Sequence, residues 1–361
     1  MPCIRYGEIY TTYNFSFNEC VSHTDEKLLS LKKYFENGDI LFAITGESVE
    51  DIGKCVAYTG KEKCLLGGDI VAMKHNQCPQ FLAYALSSPE AVRQKGIGKT
   101  KLKVVHTNIP ALKSIRILLP KDISTQESIV SYLDSSFQLI DKIKEKAQKS
   151  LSEAKALFQS ALAEAMEPKE GTLMRKIGDV FTTYAGGTPL KSQKDYYEGG
   201  DIPWLRSGEV CKKYISETEM YITQKGMDNS SAKYYPENTV VVAMYGATAA
   251  QVGILKIKAT SNQAVCGIIP HKDFIPEYVY YWFLFVQDDL ASQAQGGAQP
   301  NISQIKIKNV LIPILKKEEQ HQIVSQLDKL SSNVKQMEDR YKKIVEECDA
   351  LKQAMLRDVF E

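Results

Sequence analysis

The chain has 361 residues, a formal net charge of +1, 43% hydrophobic and 25% charged residues, which fits a folded chain of two or three domains and excludes a disordered or fibrous one. Near-zero charge also excludes a global basic field, so any nucleic acid would have to be gripped through local patches. No run of eighteen apolar residues, no basic-then-apolar leader and no Cys-x-x-Cys among the eight cysteines is present, which predicts a cytoplasmic protein with free thiols rather than a membrane, secreted, disulfide-bonded or zinc-bound one.

The sequence opens on "MPCIRYGEIY", and this pattern returns in "DIPWLRSGEV" (201–210), with Arg5, Gly7 and Glu8 matching Arg206, Gly208 and Glu209. The correspondence then runs along the chain. "ENGDILFAITG" (36–46) matches "ENTVVVAMYG" (237–246); the second is β-branched and apolar up to its glycine and predicts a buried strand, with "DILFAIT" (39–45) as its counterpart. Gly53 in "DIGKCVAY" matches Gly253 in "QVGILKI", and "PQFLAYAL" (79–86) parallels "PEYVYYWF" (276–283). "PEYVYYWFLFVQDDL" predicts a buried helix with Pro276 in its first turn. "TNIPALKSIRILLP" (107–120) aligns without a gap on "PNISQIKIKNVLIP" (300–313) at an offset of 193, and "IKNVLIP" predicts a short strand ended by Pro313. "ESIVSYLD" (127–134) meets "HQIVSQLD" (321–328). The chain is therefore two copies of one unit of roughly 190 residues. The division is a first domain 1–122, a first long helix 123–167, a linker 168–172, a second domain 173–315 and a second long helix 316–361.

Residues 173–201 have no partner in copy one, so the first domain lacks about thirty N-terminal residues relative to the second. Within that stretch "KIGDVFTTY" has the β-branched and aromatic content of a strand or strand entry. The expectation is an unpaired sheet edge or open apolar face in the first domain, which would be the less stable of the two. "DILFAIT" should then exchange its amides faster than "TVVVAMY".

After each domain comes a helical stripe. In copy two, apolar side chains fall at Ile323, Leu327, Leu330, Val334, Met337, Tyr341, Ile344, Cys348, Leu351 and Met355, alternating four and three apart, a heptad seam. Copy one carries Ile129, Leu133, Phe137, Ile140, Ala147, Leu151, Ala154, Phe158, Ala161 and Ala165, with Lys144 interrupting. About 40 residues at 1.5 Å each make a rod of roughly 60 Å, and its seam must be buried. The linker "PKEGT" is too short to cross such a rod, so the two helices are predicted to pair with each other inside one chain rather than to drive homodimerisation. Strands and helices mix without strict β-α-β alternation. The predicted class is α+β: two globular heads, each followed by a long helix, the helices pairing as an antiparallel coiled coil with pseudo-two-fold symmetry.

Catalytic and metal motifs are wanting. "GIGKT" (96–100) resembles part of a phosphate loop, but Arg93 stands where that motif needs glycine. No Gly-x-Ser-x-Gly, Gly-x-Gly-x-x-Gly, His-Glu-x-x-His or Asn-Pro-Pro-aromatic run occurs, so neither a catalytic residue nor a metal site is predicted. What stands out is a set of loops rich in glycine, amide and hydroxyl groups. In copy two they present Gly187, Thr188, Lys191 and Lys194, then Arg206, then Tyr245 and Thr248, then Asn262 and Gln263, then Gln295, Gln299 and Asn301. In copy one they present Arg5, Tyr6 and Thr45, and a basic loop with Lys95, Lys99, Lys101, Lys103, His106 and Asn108. Asn and Gln can read adenine edges, Arg reads guanine and Lys grips phosphate. Glycine and Asn also serve simply as turn residues. Equivalent loops filled with bases in one copy and amides in the other suggest two readers of different sequences.

"GGTPLKSQKDYYEGGDIPWLRSGEV", "AMYGATAAQVGIL", "TSNQAVCGIIP", "PNISQIKIKNVLIPI" and "EEQHQIVSQLD" together resemble, in order, the target-recognition domain and helix of type I restriction–modification specificity subunits. The resemblance covers essentially the whole chain. It implies a non-catalytic subunit whose two target-recognition domains each read one half of a split double-stranded DNA site. The paired helices would space the halves and dock two methyltransferase subunits. Those partners would bring S-adenosylmethionine, and restriction subunits would bring ATP, magnesium and cleavage. In this family the first domain also opens with residues like 173–201, and Met1 stands where Ile is common; a start further upstream, or a partial or recombined gene, would each explain the departure. Two other classes remain: a two-headed coiled-coil adaptor without DNA, and a nuclease or methyltransferase. A steep salt dependence of duplex binding separates the first from a DNA reader; methyl transfer by the isolated chain would identify the second.

Overall fold

The runs "ILFA" and "VVVA" become the strands Ile40–Ala43 and Val240–Ala243, every residue of both buried, in a computed structural model that describes residues 1–25, 27, 32–98, 104–293 and 301–361. The chain divides into two compact units, Met1–Ser150 with Asp339–Glu361, and Leu151–Glu338. Each unit thus combines a sheet-based head with a stretch of both long helices.

In the first unit the central sheet orders Ser16–Phe17, Cys55–Tyr58, Ile40–Ala43 and Ile70–Met73. Ile40 lies opposite Ala57 on one side and Met73 on the other, both antiparallel. Successive residues of a strand point to opposite faces, and the two faces bury different partners. Ile40 and Phe42 pack with Phe81, Leu133 and Phe137. Leu41 and Ala43 pack with Ile4, Phe35 and Tyr58, beneath a second sheet of Ser22–His23, Pro2–Ile4, Cys64–Leu66 and Tyr34–Phe35.

The second unit repeats this plan. Its central sheet orders Thr183–Ala185, Val265–Ile268, Val240–Ala243, Val252–Leu255 and Tyr214–Ile215. Val240 and Val242 face the helix Pro276–Phe285, whereas Val241 and Ala243 face Leu205 and Tyr235. Two additions distinguish it. Thr183–Ala185 pairs antiparallel along Val265–Ile268, and Met174–Lys176 pairs antiparallel with Leu311–Pro313. Among the described residues of the first unit Ile70–Met73 is the sheet edge, and residues 118–120 form no strand. Leu119 is accordingly 45% exposed where its counterpart Ile312 is 0% exposed.

The repeat extends to single hydrogen bonds. Gln126 and Gln320, both fully buried, open the two long helices. The Gln126 Oε1 accepts from the Cys78 amide at 3.0 Å, and its Nε2 donates to Pro120 O at 2.8 Å. The Gln320 Oε1 accepts from the Ile275 amide at 2.9 Å, and its Nε2 donates to Leu315 O at 2.9 Å. Likewise the Tyr84 hydroxyl donates to Asp134 and that of Tyr281 to Asp328.

The long helices are Ile123–Met166 and Lys317–Phe360. In the first unit Leu133, Phe137 and Ile140 share a core with Cys348, Leu356 and Phe360, and partly buried Ile344 packs against it. Asp141 pairs with Lys352 at 2.5 Å and Lys144 with Asp349 at 2.8 Å; one number rises as the other falls, so the segments run antiparallel. The lysine that breaks the copy-one seam therefore finds its counter-charge on the facing helix. In the second unit Leu162 and Met166 share a core with Val324 and Leu327, with Phe158 packed against it. Lys155 pairs there with Glu338 at 2.7 Å in the same antiparallel sense. Leu151 is buried, and Leu330, Val334, Met337 and Tyr341 are half-buried. The helices pair as an antiparallel coiled coil.

Three expectations need correction. Leu351 is 50% exposed, not on the seam. The next position takes its place: the Lys352 ammonium lies 5.3 Å from the centre of the Phe137 ring and is neutralised by Asp141, and its aliphatic stem covers apolar surface as a leucine would. "IKNVLIP" is not one strand, since its first three residues end the helix Gln304–Asn309 and only Leu311–Pro313 is extended. "KIGDVFTTY" is a short helix, Ile177–Val180, between two strands, with Ile177 and Phe181 driven into the core. All eight cysteines are unpaired. Among the described residues, no helix is long and apolar enough to cross a membrane.

Candidate nucleic-acid interface

In the second unit the sequence "AGGTP" makes a close approach that only glycine permits. A Cβ on Gly186 would sit 2.1 Å from Ser261 O, and one on Gly187 would sit 2.3 Å from the Ala232 nitrogen. Gly187 is thereby buried, with its carbonyl accepting from the Trp204 indole N–H at 2.9 Å. It shapes the loop and is not itself a contact surface. Its neighbour Thr188 hydrogen-bonds through its hydroxyl to the exposed amide of Gln263.

Gln263 belongs to a loop tied to two other elements. The Asn262 amide donates to Leu205 O at 2.9 Å, which sets this loop beside Arg206. The Asn262 Oδ1 accepts from the Ala264 amide at 3.1 Å. The Met244 amide donates to Ala264 O at 2.8 Å, so Tyr245 emerges next to the same loop. Tyr245 is 37% exposed and bridges antiparallel to Asn301, while the Ile302 amide donates to Met244 O at 2.8 Å. The Thr248 hydroxyl donates to Tyr245 O at 3.4 Å. Backbone pairing thus gathers Thr188, Gln263, Asn262, Arg206, Tyr245, Thr248 and Asn301 along one sheet end. Lys191 and Lys194 are exposed on the loop that follows the Gly-Gly turn. Gln295 and Gln299 lie outside the described residues.

The Arg-x-Gly-Glu motif, met twice in the sequence, is a locked turn. The Arg206 amide donates to Glu209 Oε1 at 2.9 Å, as the Arg5 amide donates to Glu8 Oε2 at 3.0 Å. The second carboxylate oxygen fastens the turn to the next strand's approach. Glu209 Oε2 accepts from the Glu219 amide at 2.8 Å, and Glu8 Oε1 accepts from the Ser22 hydroxyl. The arginine side chain is left at the surface. That of Arg206 is ion-paired to Glu219 and lies 3.4 Å from Glu209, so a free guanidinium must first leave two carboxylates. Spacing alone does not mark either glutamate as functional; the one signal in the sequence is the recurrence of Glu8 and Glu209 three residues after Arg5 and Arg206.

In the first unit Arg5 and Tyr6 are exposed. Thr45 is only 9% exposed, and its hydroxyl shares a 3.0 Å hydrogen bond with His106 Nδ1 across the paired strands Thr45–Gly46 and Val105–His106. Thr45 therefore orients the exposed imidazole. Asn108 is exposed, but its Oδ1 accepts from the Ala111 amide at 2.9 Å as a helix cap. Lys95 was expected in the basic loop and instead is 4% exposed. Its ammonium donates to Leu86 O at 2.6 Å, 5.9 Å from the centre of the Phe42 ring, and burial holds its pKa below the usual lysine range. It belongs to the core, not to a phosphate grip. Lys99, Lys101 and Lys103 lie outside the described residues. Among the described residues, no three His, Cys, Asp or Glu side chains cluster as metal ligands would.

Residues 169–346 match the family described as the type I restriction modification DNA specificity domain. The chain is 28% identical over 218 residues to the type I restriction enzyme EcoR124I/EcoR124II specificity subunit of Escherichia coli, which covers 59% of this chain and 53% of that protein. It is 32% identical over 179 residues to the MjaIX specificity subunit of Methanocaldococcus jannaschii, covering 47% of this chain and 41% of that protein. The chain thus spans about half the length of these curated relatives. Its fold matches a chain from a structure of complex assembly in a type I R-M system with a TM-score of 0.75, at 18% identity, covering 91% of this chain and 83% of the other. It also matches the HsdS subunit from Thermoanaerobacter tengcongensis with a TM-score of 0.56, at 17% identity, covering 89% of this chain and 80% of the other.

Proposed function

As a member of the type I restriction–modification specificity-subunit family, the chain is one that, we propose, selects the DNA sequence on which a methyltransferase and endonuclease complex acts, each head reading one half of a bipartite site. The observation that carries this is the sheet end of the second unit, where backbone pairing assembles Gln263, Asn262, Arg206, Tyr245 and Asn301 into one surface of hydrogen-bonding side chains. Amides and a guanidinium match base edges, and the exposed Lys191 and Lys194 match phosphates. The chain itself supplies recognition and no chemistry. Two methyltransferase subunits docked on the paired helices would carry S-adenosylmethionine. Restriction subunits would carry ATP and magnesium, in the cytoplasm.

Titrating salt against duplex binding tests the reading. Each phosphate contact contributes about −0.9 to the slope of log affinity against log salt, so a slope near zero would sink it in favour of an adaptor. Lys191→Ala should weaken every duplex alike and flatten that slope by about 1. Gln263→Ala should instead lose discrimination at one base pair, by ~1–3 kcal/mol. If both variants bind like the parent chain, this surface is not the reader.

Lys95→Met gives the complementary test in the first unit. With its ammonium buried on Leu86 O, Lys95 should contribute nothing to the salt slope, and the variant should bind duplex within about twofold of the parent. A flatter slope would return Lys95 to the interface.

A further inference from the structure

Arg206 has one edge of its guanidinium engaged and another open. The group is a flat, rigid fork, with Nε and Nη2 along its side and Nη1 and Nη2 at its end. The side edge is taken: Nε lies 3.4 Å from Glu209 Oε1, and Nη2 is ion-paired to Glu219 Oε2. Nη1 has no hydrogen-bond partner among the described residues. The guanidinium therefore need not be freed to meet a base, because the end edge is not the one the carboxylates hold.

A single carboxylate sets both ends of this arrangement. Glu209 accepts from the Arg206 amide through Oε1 at 2.9 Å and from the Glu219 amide through Oε2 at 2.8 Å. Its own side chain is only 10% exposed. Beyond Glu219, the Trp204 amide donates to Met220 O at 2.9 Å, and Ile202–Pro203 pairs antiparallel with Tyr221–Ile222. Two long surface side chains ordinarily lose much rotamer freedom when they pair; with both backbones already fixed, less is left to lose. On the other flank Leu205 pairs with Ser261, which keeps Arg206 beside Asn262 and Gln263. The first unit has no such arrangement. Glu8 gives its second oxygen to the Ser22 hydroxyl, and among the described residues no carboxylate pairs with the Arg5 guanidinium.

Arg206, Glu209 and Glu219 together bring one positive and two negative charges, so a phosphate meets net repulsion there. A guanine edge, with O6 and N7 accepting side by side, matches the open end of the fork. We propose that Glu219 is a positioning residue for base reading: it holds the guanidinium so that Arg206 reads one guanine through its end edge and does not grip phosphate. The proposal rests on the DNA reading above and adds to it the base and the residue that orients its reader.

The test selects bound sequences from a pool of randomised duplexes with the full chain. The parent should enrich a guanine whose preference Arg206→Met lowers by about fivefold or more, with other positions of the half-site unchanged. Glu219 is 67% exposed, so its truncation removes no core contact. Glu219→Ala should lower the preference for that same guanine by at least about threefold, the effect of having to order one long side chain on binding. Binding of unselected duplex should not fall, and its salt slope should steepen by up to about 0.9, because the released arginine can reach a phosphate. In the Arg206→Met background Glu219→Ala should change nothing at that position, a silence that a merely structural role would not produce. A guanine preference that survives Glu219→Ala, or an equal loss at every position, overturns the proposal. So does a selected sequence with no guanine dependent on Arg206, which leaves the DNA reading standing. A parent chain that selects no sequence and binds with a salt slope near zero overturns both.

Discussion

Leu327→Ala should lower the unfolding free energy of the second unit by about 2–5 kcal/mol, the range for emptying a well-packed leucine site. Leu327 is 0% exposed and packs in one core with Leu162, Val324 and Tyr278. It is the point where the second long helix joins its head, so truncation loosens both helix–helix and helix–sheet packing. The chain has a built-in reporter. Its two tryptophans are Trp204 and Trp282, both in Leu151–Glu338, so tryptophan fluorescence follows the second unit. In urea its transition should move to lower denaturant with little change in slope. An unmoved transition would mean that the helix is not part of that unit's core. The first unit's equivalent, Leu133, is also 0% exposed, and its variant should act on Met1–Ser150 instead.

Gln320→Leu should cost the second unit about 2–4 kcal/mol although it replaces a polar residue by an apolar one in a buried place. Losing the amide strands the Ile275 N–H and the carbonyls of Asp273 and Leu315, and a buried group left without a partner costs about 1–3 kcal/mol. Gln320→Glu keeps the acceptor for Ile275 but loses both donors, and should be no better at neutral pH, where a buried carboxylate adds its own desolvation cost. The thermal midpoint read by tryptophan fluorescence checks both variants. If Gln320→Leu melts with the parent chain, the network contributes nothing and the helix start is held by packing alone.

The duplication, the buried strands Ile40–Ala43 and Val240–Ala243, and the heptad seam were all legible, because each rests on periodic or repeated apolar residues that many side chains express together. Single positions were harder. Lys352 replaces Leu351 on the seam because a long aliphatic stem can bury while its charge reaches Asp141, and residue class alone hides this. Lys95 sits in a run that reads as solvated, "RQKGIGKT", yet its backbone position points it at the carbonyl of Leu86. Gln126 and Gln320 look like ordinary first-turn polar residues until the loops they fasten are placed against them. At the candidate surface of the second unit, residue types pointed to amides, hydroxyls and bases, but their gathering depends on long-range pairing such as Met244 with Ala264 and Tyr245 with Asn301. Those pairings are set by sheet register, which short motifs do not encode.

The locked turn at Arg5–Glu8 and Arg206–Glu209 separates holding from presenting. Each glutamate holds its arginine's backbone amide and a second segment, Glu8 at the Ser22 hydroxyl and Glu209 at the Glu219 amide, while a Cβ on Gly7 or Gly208 would meet nothing among the described residues within 4 Å. The glycines Gly7 and Gly208 therefore stand at the open side of a turn whose other side is held by the glutamate. A side chain added at either glycine would enter open space among the described residues, whereas loss of either glutamate would release both the turn and the segment it is tied to.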